Sequence, residues 1–484
     1  MISRRHIGAA LAPAAFLLLL ALPLSGLTPA AQRLAAVLAA VVILWVTEAL
    51  PLAATALLGA AACVVLQVAP AKEVFAPFAD PLMFLFIGAF ILARAIFLHG
   101  LDRRVAYAVL SLPWVGARPT RILFAFGAVT ALISGWVSNT ATTAMMFGIG
   151  LSILTALRGP GGGGTIDPRY ATGLMLMTSF AASIGGLATP VGTPPNVIGI
   201  GFIRSQLGVE IPFFSWMMVG VPAVIVLFAF LYLYLSRAAP AGVRELPSGA
   251  EQIRREREGL GPWTRGQRSV AIAFVLTVFL WILPGIVAIV AGEKSSAYAG
   301  LTRSVPEGVS ALLGAMLLFI LPGDKGRAIS WQDAVQIDWG VVLLYGGGFA
   351  LGVLSFQTGL AEALGRGLTA MLPLEGSLGL LVASVIVAVV LSETTSNTAA
   401  ANMVVPVVIS VARAAGLDPF EPALGATLAA SLGFMLPVST PCNAIVYGSG
   451  LIPLSQMIRH GLVLDLAGMV VIVALVRTLG GFVH

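Results

Sequence analysis

The sequence predicts an all-α polytopic membrane protein of about 11 transmembrane helices and two re-entrant helical hairpins, arranged as an inverted repeat. Three observations predict it. The 484 residues are 58% hydrophobic and only 10% charged, against about 25% charged in an ordinary soluble chain. Apolar runs of about 20 residues, the span of a hydrocarbon core, recur along the whole length. The tripeptide Ser-Asn-Thr occurs twice inside such runs, at 138–140 and 396–398, and each copy is followed by a proline-broken polar loop. The loops are Thr189-Pro190-Val191-Gly192-Thr193-Pro194-Pro195-Asn196 and Leu436-Pro437-Val438-Ser439-Thr440-Pro441-Cys442-Asn443. Such segments cannot stay regular helix, and irregular backbone at membrane depth is tolerated only where it is buried in protein or lines a water-filled cavity. The 54 glycines and 29 prolines suit close helix packing and broken helices.

Taken in order, spanning helices fall near 7–25, 33–50, 52–69, 81–99, 170–204, 213–236, 268–292, 307–322, 338–362, 418–450 and 461–481. The first imitates a secretory signal, with Arg4 and Arg5 ahead of Phe16-Leu17-Leu18-Leu19-Leu20. Its apolar run is long enough to span, so it is kept as the first helix, and cleavage would leave the later topology unchanged. The segment 101–116 places Arg103 and Arg104 before Val105, Val109 and Leu110, the pattern of an amphipathic helix on the membrane surface. Two further apolar stretches, 119–157 and 375–413, carry the Ser-Asn-Thr copies near their centres.

Arginines set the orientation. The loop from Arg237 to Arg268 also holds Arg244, Arg254, Arg255, Arg257 and Arg265, and a second basic loop holds Arg103, Arg104, Arg118 and Arg121. Basic loops stay cytoplasmic. With the N-terminus inside, both lie inside only if 119–157 enters and leaves on one face, as a hairpin whose turn is Ser138-Asn139-Thr140. By the same count 375–413 enters from outside, and the C-terminus ends outside. These loops account for the net charge of +6 without nucleic acid as a partner; the partner is the lipid bilayer. Cys63 and Cys442 both lie in apolar context and read as two small buried side chains.

The halves repeat. Gly100-Leu101 follows Gly88-Ala89-Phe90 as Gly359-Leu360 follows Gly348-Phe349, with Gly100 and Gly359 separated by 259 positions. Ser138 and Ser396 are separated by 258, and Asn196 and Asn443 by 247, which allows one shorter connection. An odd number of crossings between copies inverts one repeat against the other. In that architecture a binding site lies near the midplane, at the repeat interface.

Each hairpin tip offers a hydroxyl, a carboxamide and a hydroxyl in succession, and each partner loop offers carbonyls, hydroxyls and a second carboxamide, Asn196 or Asn443. Carbonyl and hydroxyl oxygens can wrap a small hard cation, and amide donors and helix N-termini can hold an anion. None of the four segments contains Lys, Arg or His. An anion bound there therefore needs co-bound cations or helix dipoles to balance it, which points to ion-coupled anion transport.

These residues resemble a family, the divalent anion/sodium symporters, which are the solute carrier 13-type di/tricarboxylate and sulfate transporters. The marks are Trp45-Val46-Thr47-Glu48-Ala49-Leu50-Pro51, both Ser-Asn-Thr tips, and the loops ending Thr193-Pro194-Pro195-Asn196 and Thr440-Pro441-Cys442-Asn443. The resemblance covers nearly the whole chain. It implies a homodimer in the plasma membrane (the inner membrane of a bacterium), whose scaffold holds the dimer contact while a transport domain slides as an elevator. On this chain the scaffold would be 1–118 and 268–374, the transport parts 119–236 and 375–484, and the cytoplasmic loop 237–267. It implies no cofactor, co-transport of sodium, and a C4-dicarboxylate such as succinate, malate or fumarate as substrate. Carried over by position, a first sodium site would use Ser134, Ser138, Asn139 and the backbone at Gly192, and a second Ser392, Thr395, Asn397 and the backbone at Ser439. The anion would meet Ser138, Asn139, Thr140 and Thr193 on one side, and Ser396, Asn397, Thr398, Thr440 and Pro441 on the other. Cys442 stands where the second loop commonly has proline, and Ser439 replaces a smaller residue, so loop shape, substrate size or coupling ion could differ. Sodium-independent dicarboxylate exchange and sulfate or citrate transport are the alternatives within the fold.

Other features carry less. Glu393, four residues before Asn397, is an intramembrane acid and reads either as a coupling group or as a hydrogen-bonded strut. Glu48 reads as a helix-end anchor, and Arg94 near a helix end can snorkel, with no role assigned. Gly159-Pro160-Gly161-Gly162-Gly163-Gly164 lacks the Lys-Ser/Thr of a phosphate-binding loop and reads as a connector. The Arg/Glu run 251–258 reads as a solvated helix. His6, His99, His460 and His484 are scattered, and no metal cluster, nucleophile–base pair or ATP motif appears, so an intramembrane enzyme is disfavoured. Two broken hairpins in inverted symmetry favour alternating access over an open channel.

Overall fold

Helix starts and stops follow local chemistry. The computed structural model describes residues 4–22, 24, 26–158, 167–371 and 376–483. Its first helices are α1 (Arg4–Ala21), α2 (Pro29–Thr47), α3 (Leu52–Val65), α4 (Ala71–Phe75) and α5 (Pro81–Leu98). Thr28 caps α2 and Asp80 caps α5, each followed by a proline at the first helical position, where a missing N–H costs nothing. Glu48 ends α2 in the left-handed conformation, the helix-end place expected of it. Gly100, at φ 63, turns the chain from α5 into the surface helix α6 (Leu101–Leu110), a backbone geometry that favours glycine. Gly359, at φ 81, does the same further on, so the repeated glycine marks a repeated turn.

The first hairpin is α7 (Pro119–Ser134) and α8 (Asn139–Arg158), with the Ser-Asn-Thr tip between them. The expected span at 170–204 is two helices, α9 (Pro168–Gly185) and α10 (Pro194–Leu207), parted by the proline loop. There follow α11 (Phe213–Ala238), α12 (Pro247–Gly259), α13 (Arg265–Ala291), α14 (Ser296–Ser304), α15 (Glu307–Leu318), α16 (Trp331–Ala334), α17 (Trp339–Gln357) and α18 (Leu360–Met371). The second hairpin is α19 (Gly376–Thr394) and α20 (Asn397–Ala414). The expected span at 418–450 is likewise broken, into α21 (Phe420–Ala429) and α22 (Pro441–Tyr447), and α23 (Leu454–Leu479) closes the chain. Among the described residues ten helices are long and apolar enough to cross a membrane, and α3, α7 and α15 are shorter apolar helices. The Gly159–Gly164 connector lies outside the described residues.

Hydrogen bonds identify the two faces of the molecule. On one, Arg104 donates to the carbonyls of Leu260, Gly261 and Pro262 at 2.9–3.1 Å, and Arg257 to Ser111 Oγ at 2.8 Å. The two arginine loops therefore meet on one side, as the reading of 119–157 as a hairpin requires. Asp324, in the loop after α15, accepts from Arg265 N at 2.9 Å on this same face. On the opposite face Arg204, at the end of α10, pairs with Asp80 at the start of α5. There too Arg413, near the end of α20, donates to Gln206 O, so the second hairpin enters from that side.

Packing crosses the halves. The first hairpin packs on α9 and the second on α21, but α10 packs on α20 and α21, while α22 packs on α8 and α9. Phe180 and Phe434, 5.2 Å apart edge to face, join the two broken regions. Burial sorts the helices: α9 is enclosed along almost its whole length, whereas α13 turns most of its apolar side chains outward, as a lipid-facing helix does.

Candidate functional site

Each broken helix is held open by its own carboxamide. Asn196 Nδ2 donates to Gly186 O at 2.9 Å and Thr189 O at 2.8 Å. In the second loop, 247 positions on, Asn443 Nδ2 donates to Gly433 O at 2.9 Å and Leu436 O at 3.0 Å. Both asparagines are fully buried. Ser179 Oγ adds a bond to Asn443 Oδ1 at 2.6 Å, tying α9 to the opposite loop. These bonds satisfy carbonyls that the breaks leave without helical partners.

Behind each tip the same serine–asparagine pair recurs. Asn139 directs one end of its amide into a cluster of oxygens: Ser134 Oγ at 2.6 Å, and the carbonyls of Ala182 and Gly192, both at 3.2 Å. Presented nitrogen-first, the amide has two N–H protons to share among the three. Presented oxygen-first, it completes an oxygen cage that needs a cation. A Cβ at Gly192 would stand 2.5 Å from Gly186 O and 3.0 Å from Gly135 O, so only glycine brings this backbone so close.

In the second half Ser392 Oγ lies 2.7 Å from Asn397 Oδ1 and 2.8 Å from Ala430 O, two acceptors that one hydroxyl proton cannot serve at once. Ser439 Oγ lies 2.6 Å from Leu436 O and 2.9 Å from Gly433 O. Thr395 is buried nearby, with its hydroxyl donating to Leu391 O at 2.7 Å on its own helix. Ser134, Ser392 and Thr395 all sit behind the tips, fully buried.

A cavity of about 580 Å³ lies between the tips. It is lined by Ser138, Asn139, Thr140 and Thr193 from the first half, and by Ser396, Asn397, Thr398, Thr440 and Pro441 from the second. All nine residues assigned to the anion from the sequence are therefore brought together on one cavity, with Gly192 and Ser439. The N-terminal turns of α8, α10 and α20, with the start of α22, point into it. Each turns the positive end of a helix dipole toward it; α8 and α20 add N–H groups of their first turns, whereas α10 opens on Pro194-Pro195 and α22 on Pro441, which have none to give. The opposite wall comes from the start of α3, from Phe90, Arg94 and Phe97 on α5, and from 336–344 at the start of α17.

Several residues emerge only here. Gly186 and Gly433 floor the two cages: a Cβ at Gly186 would stand 2.5 Å from Asn139 Oδ1, and one at Gly433 3.1 Å from Ser392 Oγ. Their 247-residue spacing matches that of the loops, a signal present in the sequence. Cys442 is buried against the cavity beside Thr140, Thr143 and Ser183, so the thiol stands between the first tip and the second loop. Both cysteines are free and buried. Glu393 accepts from Met435 N at 2.7 Å and Leu436 N at 3.1 Å, so its carboxylate is a strut for the second loop. Arg94 borders the cavity, an unforeseen placement.

The inverted broken helices and the cavity they enclose define a membrane transport protein. A family model described as the sodium:sulfate symporter transmembrane region matches residues 3–483, and the chain belongs to that family. It is 37% identical over 442 residues to the sodium-dependent dicarboxylate transporter SdcS of Staphylococcus saprophyticus, covering 89% of this chain and 83% of that protein. It is 35% identical over 440 residues to the protein of the same name from Staphylococcus aureus strain USA300, covering 89% and 82%. Among solved structures, the YdaH transporter of Alcanivorax borkumensis superposes with a TM-score of 0.54 at 14% identity, over 84% of this chain and 86% of that one, a likeness of fold alone.

Proposed function

We propose that this protein is a secondary active transporter that couples sodium to the movement of a divalent organic anion, a C4-dicarboxylate such as succinate, malate or fumarate. The observation that carries the reading is the convergence of helix N-terminal turns from both halves on one cavity, flanked by two oxygen cages, in segments free of formal positive charge. Helix ends attract the anion, and cations in the cages complete its neutralisation. The first cage is Ser134, Ser138, Asn139 and the Gly192 carbonyl; the second is Ser392, Thr395, Asn397 and the Ser439 backbone. The two carboxylates then meet Ser138, Asn139, Thr140 and Thr193 at one end and Ser396, Asn397, Thr398, Thr440 and Pro441 at the other. The 35–37% identical relatives named as sodium-dependent dicarboxylate transporters support both the cation and the substrate class.

Transport proceeds by an elevator. Segments 119–236 and 375–484 move against a scaffold of 1–118 and 268–374, which holds the homodimer contact, while 237–267 stays in the cytoplasm. The N-terminus is inside and the C-terminus outside, in the plasma membrane. The cavity borders Arg94 and Phe97, close to the arginine-loop end of α5, which supports an inward-facing state. The family description favours sulfate as a second reading.

Labelled succinate uptake into proteoliposomes, with an inward sodium gradient or with potassium in its place, tests the proposal. Sodium-driven uptake competed by malate or fumarate but not by sulfate is expected. Uptake indifferent to sodium but dependent on preloaded dicarboxylate would make the protein an exchanger, and uptake of sulfate alone would move it to the second reading.

A further inference from the structure

Arg94 is the one basic side chain on the cavity wall among the described residues. It is half-buried on α5 and lines the same cavity as the Ser-Asn-Thr tips. One end of its guanidinium donates to Gln336 Oε1 at the start of α17. Its Nε is buried without a hydrogen-bond partner. It makes no ion pair among the described residues. Asp338, the acid that also borders the cavity, is exposed and occupied in capping α17, accepting from Val341 N at 3.2 Å. A partly exposed guanidinium with one buried free donor and no ion pair, on the wall of the cavity, is placed to bind an anion that enters it.

We propose that Arg94 determines anion affinity and release on the face of the arginine loops: it engages a carboxylate of the substrate while the site stands beside the end of α5, and it has no contact with the substrate when the site faces the other way. The proposal rests on the reading of the chain as a dicarboxylate elevator, in which α5 belongs to the fixed part and the tips to the moving part. Its physical basis is the division of charge. The moving segments bring only helix dipoles and bound cations, so the anion travels without a fixed positive side chain. The scaffold supplies one at a single end of the path. The guanidinium's free N–H groups offer a carboxylate charge-assisted hydrogen bonds, which an amide in the same place would not match.

The test is transport by purified protein in proteoliposomes of determined orientation, with KM for succinate measured separately from the arginine-loop face and from the opposite face. Arg94→Gln is expected to raise KM on the arginine-loop face by about tenfold or more, the loss of a hydrogen bond between charged groups. KM on the other face should stay within about twofold, the range of an interaction not made there. Arg94→Lys should recover part of the loss by keeping the charge. Arg257→Gln removes an exposed arginine of the same face that lies outside the cavity, and should leave both KM values near wild type. Equal changes on both faces, no change on either, or an Arg257→Gln variant that reproduces the Arg94→Gln effect would overturn the proposal. Wild-type succinate transport decides the underlying reading before any variant is compared. Should wild type carry sulfate instead, the same face-by-face comparison with sulfate decides the role of Arg94.

Discussion

Gly433→Ala is the sharpest probe of the second oxygen cage. The added methyl would stand 3.1 Å from Ser392 Oγ, 3.3 Å from Asn397 Oδ1 and 3.5 Å from Ser439 Cβ, inside the space those groups enclose. All three neighbours are side-chain atoms that can give by a few tenths of an ångström, so the fold survives at a cost of about 1 kcal/mol, the low end for overpacking. At Gly192, by contrast, the nearest neighbours are backbone oxygens that cannot yield. A cation that has lost part of its cage binds about a hundredfold more weakly, a difference of about 2.7 kcal/mol. That loss reads directly in sodium-dependent stability. At a sodium concentration about 100 times its dissociation constant, wild type gains about 2.7 kcal/mol from the site, and the variant would gain only about 0.4 kcal/mol. Thermal unfolding of the purified protein in sodium or potassium measures this, and the sodium dependence of succinate uptake measures its consequence. A folded Gly433→Ala protein with unchanged sodium dependence in both assays would refute the placement of a cation between Ser392, Asn397 and Ser439.

Three further outcomes follow from the same geometry. Asn139→Ala or Asn397→Ala should abolish uptake while leaving the protein folded, since each removes both a cage oxygen and a tip donor; normal uptake by both variants in proteoliposomes would remove the site assignment. Asp80→Asn should leave Arg204 without its ion-pair partner and weaken this conformation by about 1.5–3 kcal/mol, because the pair joins α10 to the start of α5, elements that the proposed elevator would part. Distances between spin labels on α10 and α5 would report that shift, and an unchanged distribution would count against it. Asp102, on the surface helix α6, is buried with Oδ1 unpartnered, and burial pushes its carboxyl from 3.8 up to about 6. The fold therefore favours its protonated form: stability is greatest below about pH 4, is lost as pH rises through about 6, and is lower by about 3 kcal/mol at pH 7. Asp102→Asn should raise the unfolding midpoint at pH 7 and flatten its slope between pH 4 and 6; a parallel, undiminished slope would show that another group is responsible.

Both Ser-Asn-Thr tips and both proline loops were legible because they break local rules. A polar tripeptide or a proline pair inside an apolar run has no place in a lipid-facing helix, so its position alone announces a cavity. The two arginine loops were equally legible, and their meeting across Arg104 and Arg257 agrees with the hairpin reading of 119–157. Gly186 and Gly433 share the loop spacing, but a glycine among 54 carries no chemistry of its own that would mark it in the sequence.

By itself the sequence determined the membrane class, the pair of inverted repeats, and the two polar tips and two proline loops whose residues line the cavity. Those follow from hydrophobic length, charge and local breakage, all of which act within a few turns of chain. Only the tertiary structure decided that α10 packs on the second hairpin and α22 on the first, which brings two tips 258 positions apart to one cavity. It alone placed the carbonyl of Ala182 beside the Asn139 amide and that of Ala430 beside Ser392 Oγ, Glu393 against the backbone of the second loop, and Arg94 on the cavity wall. Every residue carries the same carbonyl, and an arginine near a helix end looks alike whether it faces lipid headgroups or substrate. Which oxygen is aimed at an ion, and which cation faces an anion, depends on the approach of segments remote in sequence.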